Sequence, residues 1–193
     1  MRKVREKSLS CYFVEFSTLV GLLMLLLPAQ CFAAGEMAYN SKASGPVWQD
    51  WQTVGYSTLT WGFWAIYDAQ LKTPSGLYRA EKPFTSNIAL LIDYRRNISK
   101  KSLLSATDEQ WMHLGVSREN RKRWIRVLDK IWRDVKKGDR LVFTLTETGG
   151  RFYFGDEMIG RIDDLLLARA FVDIWLSENS AYPGLRRQLI GLE

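Results

Sequence analysis

Cysteine is the first scarcity in this chain: 193 residues hold two, Cys11 and Cys31, and both lie ahead of Ala33. From residue 34 onward there is no thiol, which excludes a disulfide framework, a thiolate metal site and a cysteine nucleophile from that part. Histidine is scarcer still, with His113 the single one. A Ser-His-Asp arrangement would have to use it, and between Met112 and Leu114 in a helical stretch it reads as a surface or half-buried side chain. Carboxylates are then the remaining metal ligands, and their spacing matches no EF-hand. Gly-x-Gly-x-x-Gly and P-loop patterns are also missing, so no metal and no cofactor is expected. Charge of one sign is in small excess, 27 Lys and Arg against 21 Asp and Glu. That balance makes no case for nucleic acid.

The longest apolar run, Thr18 to Leu27, is too short to span a bilayer comfortably and has the length of a signal-peptide core. It follows Arg2, Lys3, Arg5 and Lys7, is broken by Pro28, and leads to small residues around Ala33-Ala34. The pattern predicts a signal peptide over residues 1–33, cleaved after Ala33, and a periplasmic protein with no stable membrane span afterwards. An uncleaved N-terminal anchor is the rival reading. A lipoprotein start at Cys31 is disfavoured because Gln30 stands where a small residue is expected. The 160 residues that follow suffice for one domain with a core, and they hold all eight tryptophans.

Residues 34–50 read as a flexible lead-in, although Val47-Trp48-Gln49-Asp50-Trp51 begins order, and 51–193 as the domain. Its apparent spine is Trp61 to Leu71, aromatic and β-branched and closed by Thr73-Pro74-Ser75-Gly76. In Phe63 to Tyr67 apolar side chains sit at nearly every position, which predicts a central strand covered on both faces. Thr53 to Thr60 precedes it, with Gly62 as a separator or bulge. Pro83-Phe84 and Ile88 to Tyr94 follow as a second buried strand.

Ser99 or Ser102 caps a first helix ending at Gly115, and Ser117 opens a second. Trp124, Val127, Leu128, Ile131, Trp132 and Val135 form a regular apolar stripe, opposite a basic face from Arg121 to Arg133. Leu141 to Thr146, Arg151 to Phe154 and Met158 to Ile162 read as a β-meander with turns at Thr148-Gly149-Gly150 and Gly155-Asp156. Asp163 or Asp164 caps a very apolar helix, Leu165 to Leu176, which must be covered on most sides. A short amphipathic helix over Ser180 to Leu192 ends the chain. This order argues α+β, an antiparallel sheet with helices on one face.

The polar groups that stand beside apolar surface are few. Tyr67 and Asp68 interrupt the spine, Arg95 and Arg96 close the second strand, and Arg151 and Tyr153 point the same way. Tyr67, Asp68, Arg95, Arg151 and Tyr153 are therefore the candidate ligand-binding residues. An Arg and a Tyr at a sheet-helix cleft suit a carboxylate or phenolate. The same groups serve equally as an internal Tyr67 or Asp68 pair with an arginine, fixing strand ends.

The series Ile66 to Leu71 with Pro74 and Gly76, Pro83-Phe84, Leu91 to Ser99, Lys137 to Leu141, Arg151-Phe152-Tyr153, Ile159 to Ile162 and Ala168 to Leu176 resembles the exported bacterial branch of the chalcone isomerase-like family. The resemblance runs collinearly from about Trp51 to Leu192. It implies an open-faced β-sandwich, a large antiparallel sheet with helices layered on it. The family includes plant enzymes that close a flavanone ring, plastid proteins that bind fatty acids, and members without known catalysis. The enzymes' early-strand arginine has no counterpart between Thr53 and Thr60. Their tyrosine before Ser-x-Lys corresponds to Ile98, their asparagine to about Ser105, and a threonine on the spine strand to Tyr67. No catalytic residue is carried over. The expectation is a non-catalytic protein binding a small apolar or acidic ligand, fatty-acid-like or phenolic, in a sheet-helix cleft. The alternatives are an intramolecular lyase or isomerase pairing Tyr67 with an arginine, and an interaction module using the basic helix 121–133.

Overall fold

Tight turns between β-prone segments set the topology. The computed structural model describes residues 45–79 and 87–193. Strands β1 (Gln52–Trp61), β2 (Trp64–Thr73), β3 (Ile88–Tyr94), β4 (Arg140–Thr146), β5 (Gly149–Phe154) and β6 (Glu157–Ile162) form one sheet in sequence order. Every neighbouring pair is antiparallel. Helices α1 (Lys100–His113) and α2 (Arg118–Ile131) join β3 to β4, while α3 (Leu165–Leu176) and α4 (Pro183–Leu189) follow β6. The expected α+β architecture, a large antiparallel sheet under a layer of helices, is the one formed. Pro83-Phe84 lies outside the described residues, as does the whole of 1–33.

The presumed central strand is divided differently from the sequence reading. Trp61 pairs with Trp64 across a two-residue turn, and Gly62 takes φ 58°, a conformation glycine adopts without steric cost. Trp61 to Leu71 is thus the tip of a hairpin and then a strand second from the edge, not a sheet centre. An unbroken aromatic run gives no sign of this, because the glycine that splits it also passes as a bulge.

Alternation then sorts the side chains. Ala69 and Leu71 on β2, Leu90 and Ile92 on β3, Phe143 and Leu145 on β4 and Phe152 on β5 meet the helices in one core. The opposite face of the middle strands buries Ala89, Leu91 and Val142 under Trp48, with Trp51 and Tyr153 packed against them. Trp48 belongs to a 3₁₀ turn, Val47–Asp50, so the folded unit reaches back into the 34–50 lead-in. β3 and β4 are buried over both faces along most of their length, and β3 carries the continuous apolar run such burial demands.

The tryptophan-rich core is real for Trp111, Trp124, Trp132 and Trp175, all buried between helices and sheet. At its centre Phe171 of α3 lies 4.7 Å from Phe143, 5.0 Å from Phe152, 5.2 Å from Trp175 and 5.8 Å from Trp132, centroid to centroid. Gly150 allows this close approach: a Cβ there would come 2.3 Å from Cζ of Phe143. The turn before it is Glu147-Thr148, since Thr146 pairs with Gly149.

Helix ends differ from the apolar pattern in two places. The α2 stripe continues past the helix, because Trp132 is extended at the C-cap and Val135 bridges to Ile98 as a β-pair. Residues of an extended segment can share a core face with a helix that precedes them, so periodicity alone overruns the end. Ser99, Ser117 and Asp164 cap α1, α2 and α3 through their side chains. Leu165 and Leu166, in the first turn of α3, are exposed. The last helix spans Pro183–Leu189, shorter than the predicted 180–192. His113 is the final residue of α1, with Nε2 3.1 Å from the Asn179 carbonyl oxygen. Among the described residues no helix is long and apolar enough to cross a membrane.

Candidate functional site

A cleft of about 650 Å³ opens between α1, α3 and the β1–β3 side of the sheet. Its sheet wall includes Leu59, Tyr67, Ile92 and Tyr94, and its helix wall includes Phe171, Ile174 and Trp175. The third wall explains itself from the sequence of α1. Ser102, Ser105, Ala106, Glu109 and Gln110 all line the cleft, at spacings i, i+3, i+4, i+7 and i+8. They form a stripe of small and polar residues on one helical face. Leucine-sized side chains there would fill the space. Thr107 and Trp111 are the buried positions of the same helix.

Within the cleft the polar geometry is spare. The Trp175 indole donates Nε1–H to the Tyr67 hydroxyl at 2.9 Å. Tyr67 and Tyr94 meet edge to face at 6.3 Å. Burial pushes the pKa of both phenols well above the ordinary tyrosine value, and the hydrogen bond from Trp175 only partly offsets this at Tyr67. Both stay protonated at neutral pH, so neither is a general base there. Having accepted from Trp175, Tyr67 keeps its own O–H to donate. Ser105 donates to Glu109 at 3.3 Å, and Ser102 shares the Ser99 cap of α1 at 2.9 Å. Among the described residues no lysine or arginine lines the cleft.

The five residues singled out from sequence do not converge. Tyr67 lines the cleft, while its neighbour Asp68 points to the opposite face, as strand alternation requires. Asp68 accepts from the Thr58 hydroxyl at 2.7 Å and forms an ion pair with Arg95. That pair fixes the end of β3, which is the internal role the sequence left open. Arg151 stands opposite Thr144 and Arg161, and Tyr153 packs edge-on against Trp48 at 6.1 Å. Asp68, Arg151 and Tyr153 belong to the open face, on the far side of the sheet from the cleft.

Among the described residues Tyr67 therefore has no arginine partner of the kind an electrostatic pair would need. On the basic helix, Arg121 pairs with Asp108 and Arg123 with Asp164, and Arg133, which lies past the helix end rather than on it, stacks 3.7 Å over Phe154. Much of that charge is spent within the fold.

What sequence reading missed is the α1 wall. Its signal was present as the small-polar stripe, and two residues that had been matched to family positions, Ile98 and Ser105, do line the cleft together with Tyr67. Among the described residues no group of His, Cys, Asp and Glu is placed to hold a metal ion.

With the geometry in hand, comparison with known proteins adds three findings. The family described as chalcone isomerase-like matches residues 63–191. An uncharacterized Haemophilus influenzae protein is 25% identical over 142 residues, covering 73% of this chain and 68% of its own. The crystal structure of an Arabidopsis thaliana fatty-acid binding protein superposes with a TM-score of 0.57 at 10% identity, over 77% of this chain and 90% of that one. At that identity the likeness is one of fold.

Proposed function

The chain belongs to the chalcone isomerase-like family, and on that premise we propose that it is an exported, non-catalytic protein holding a small apolar ligand in the α1–sheet cleft. The observation that carries this reading is the composition of the cleft wall. It is aromatic and aliphatic, of a size within the roughly 300–1,000 Å³ of small-ligand pockets, and bears hydroxyls and one amide but, among the described residues, no cation. An ionised carboxylate or phenolate brought inside would lose its hydration without a charged partner, and Glu109 would repel it. Of the apolar and acidic ligands expected from sequence, the wall favours an apolar body with an uncharged polar end. The fatty-acid binding neighbour supports ligand binding on this fold.

Catalysis fits the wall less well. Ile98, Ser105 and Tyr67 stand where the resemblance puts the plant enzymes' polar residues, and a buried, protonated Tyr67 with no arginine beside it cannot hold a phenolate by charge.

The test uses a neutral apolar fluorophore, N-phenyl-1-naphthylamine, titrated into the protein. Its emission should rise on binding and be displaced by a long-chain alcohol more effectively than by the matching ionised carboxylate. Ala106→Trp, which fills the cleft from α1, should abolish the signal, whereas exposed Met112→Trp should leave it intact. A folded wild type that does not bind the probe refutes the proposal. Cyclisation of a chalcone well above the spontaneous rate, lost in Tyr67→Phe, would refute its non-catalytic part.

Export rests on the basic start, the apolar core Thr18 to Leu27 and the small residues at Ala33-Ala34. The bacterial relative supports assignment to a bacterial branch. Protein recovered from the periplasm should have a mass beginning at Ala34. A chain that keeps residues 1–33 would instead be anchored.

A further inference from the structure

The tip of the β1–β2 hairpin turns three large rings to solvent. Trp61, Phe63 and Trp64 are 79%, 104% and 62% exposed. Gly62 is enough to reverse the chain, and its surroundings are open, with nothing within 4 Å of a Cβ placed there. A polar residue at the apex would serve the turn as well as Phe63 does. Clustered exposed rings of this kind mark an interaction surface.

Cations collect beside the rings. Arg95, Arg96 and Lys137 share a shallow surface depression with Trp64, and Asp68 is the acid among them. Asp68 is already neutralised by Arg95, which leaves Arg96 and Lys137 in excess. The Arg96 guanidinium lies 4.8 Å over the Trp64 ring, so ring and charge are presented as one unit. Trp61 also belongs to the cleft wall, as does the partly exposed Tyr182. The tip therefore adjoins the cleft opening.

We infer that this tip docks on the surface of an anionic lipid bilayer, with the rings in the interfacial layer and Arg96 and Lys137 among the headgroups. The shape favours lipid over protein: a convex apex offers no groove to a partner, whereas a soft interface accepts protruding rings. Tryptophan is the side chain best suited to that layer, with an apolar body and a polar N–H. A collar of cations one step back from the rings matches the order of charges met on approaching an anionic membrane. Docking in this orientation brings the cleft opening against the bilayer. It rests on the hairpin alone and does not require the cleft to be filled.

The test uses the full chain with Cys11→Ser and Cys31→Ser, and an environment-sensitive nitrobenzoxadiazole dye attached at Phe63→Cys. A parallel sample carries the dye at Met158→Cys, an exposed site on the far edge strand. Vesicles are of phosphatidylcholine with and without phosphatidylglycerol. The dye at position 63 should shift to the blue on the anionic vesicles, and the dye at 158 should not. Arg96→Gln with Lys137→Gln should weaken that response about 30-fold, at about fivefold for each cation near the surface. Added salt should weaken it in the same direction.

A dye at position 63 that stays water-like while the vesicles still carry the protein down overturns the inference, and assigns the attachment to the N-terminal segment. Equal shifts at both positions, or no dependence on lipid charge, overturn it too. A response to a soluble protein but to no vesicle would replace it with a protein partner. Probe binding in the cleft is read separately, so either result can fail without the other.

Discussion

Phe171→Ala is expected to lower the unfolding free energy by about 3–5 kcal/mol, the largest single effect at any position considered. Phe171 is 2% exposed and makes ring contacts with Phe143, Phe152, Trp132 and Trp175. Removing it loses the transfer free energy of the ring and also leaves a void. The four neighbouring rings are stiff, and Ala168 Cβ already lies 3.4 Å from where a Gly150 Cβ would sit, so the void collapses only in part. Phe171→Leu keeps much of the volume and should cost roughly 1–2 kcal/mol. Urea titration of both variants decides the matter. Equal midpoints for alanine and leucine would mean that Phe171 is not the hub of this core. Because Phe171 also lines the cleft, the alanine variant should bind the apolar fluorophore with altered affinity even where it remains folded.

Alkaline pH should destabilise the protein steeply, with Tyr67 and Tyr94 contributing beside the half-buried Tyr78, whose pKa burial also raises. Tyr67 and Tyr94 are both buried, and desolvation raises each above its ordinary value of 10.0. In the folded state they retain protons that the unfolded chain releases above that value. The unfolded state then binds fewer protons, and linkage makes the slope of stability with pH negative. Their contribution is fully present below pH 10 and is lost as pH rises past it towards the folded-state values. The loss is about 1.4 kcal/mol per pH unit for each tyrosine, or about 2.7 kcal/mol for the two while both resist ionisation.

Tyr94→Phe should reduce the slope by about 1.4 kcal/mol per pH unit. Tyr67→Phe should reduce it by the same amount, and adds a pH-independent loss of about 1–3 kcal/mol because the Trp175 N–H is left buried without its acceptor. Urea unfolding across the alkaline range, with the two variants beside the wild type, checks the sign and the partition. A slope unchanged in both would mean that the phenols are open to water in the folded state. The same retained protons remove Tyr67 from consideration as a base at neutral pH, which bears directly on the non-catalytic reading of the cleft.

Local chemistry made much of this legible in advance. Ser117 could be named as a cap, and Ser99 and Asp164 each as one of two neighbouring choices, because each precedes a helical pattern and can satisfy an otherwise unpaired N–H. The meander from Leu141 to Ile162 could be read because alternation and glycine-bearing turns repeat within a few residues. The stretch from Trp61 to Leu71 was harder. Its aromatic content is the same whether the strand is buried or presented at a hairpin tip, and the difference lies in what packs on it from distant parts of the chain. The five candidate site residues show the same limit. That Tyr67 and Asp68 face apart follows from the period of a strand. That the cleft lies on the Tyr67 side depends on where the helices settle, whereas the meeting of Asp68 with Thr58 follows from the register of β1 on β2.

By itself, the sequence determined the α+β class, the antiparallel connections, the start of the second helix and the lack of any thiol from residue 34 onward, since each is written in composition or in neighbours within a turn or two. Tertiary structure alone decided which face of the sheet is covered and that Trp61, Phe63 and Trp64 are left in solvent. It also decided that the small-polar stripe of α1 stands off from the sheet to leave a cleft. Those outcomes are contacts between segments tens of residues apart, selected by how α1 and α3 share the apolar face, and no local period encodes them.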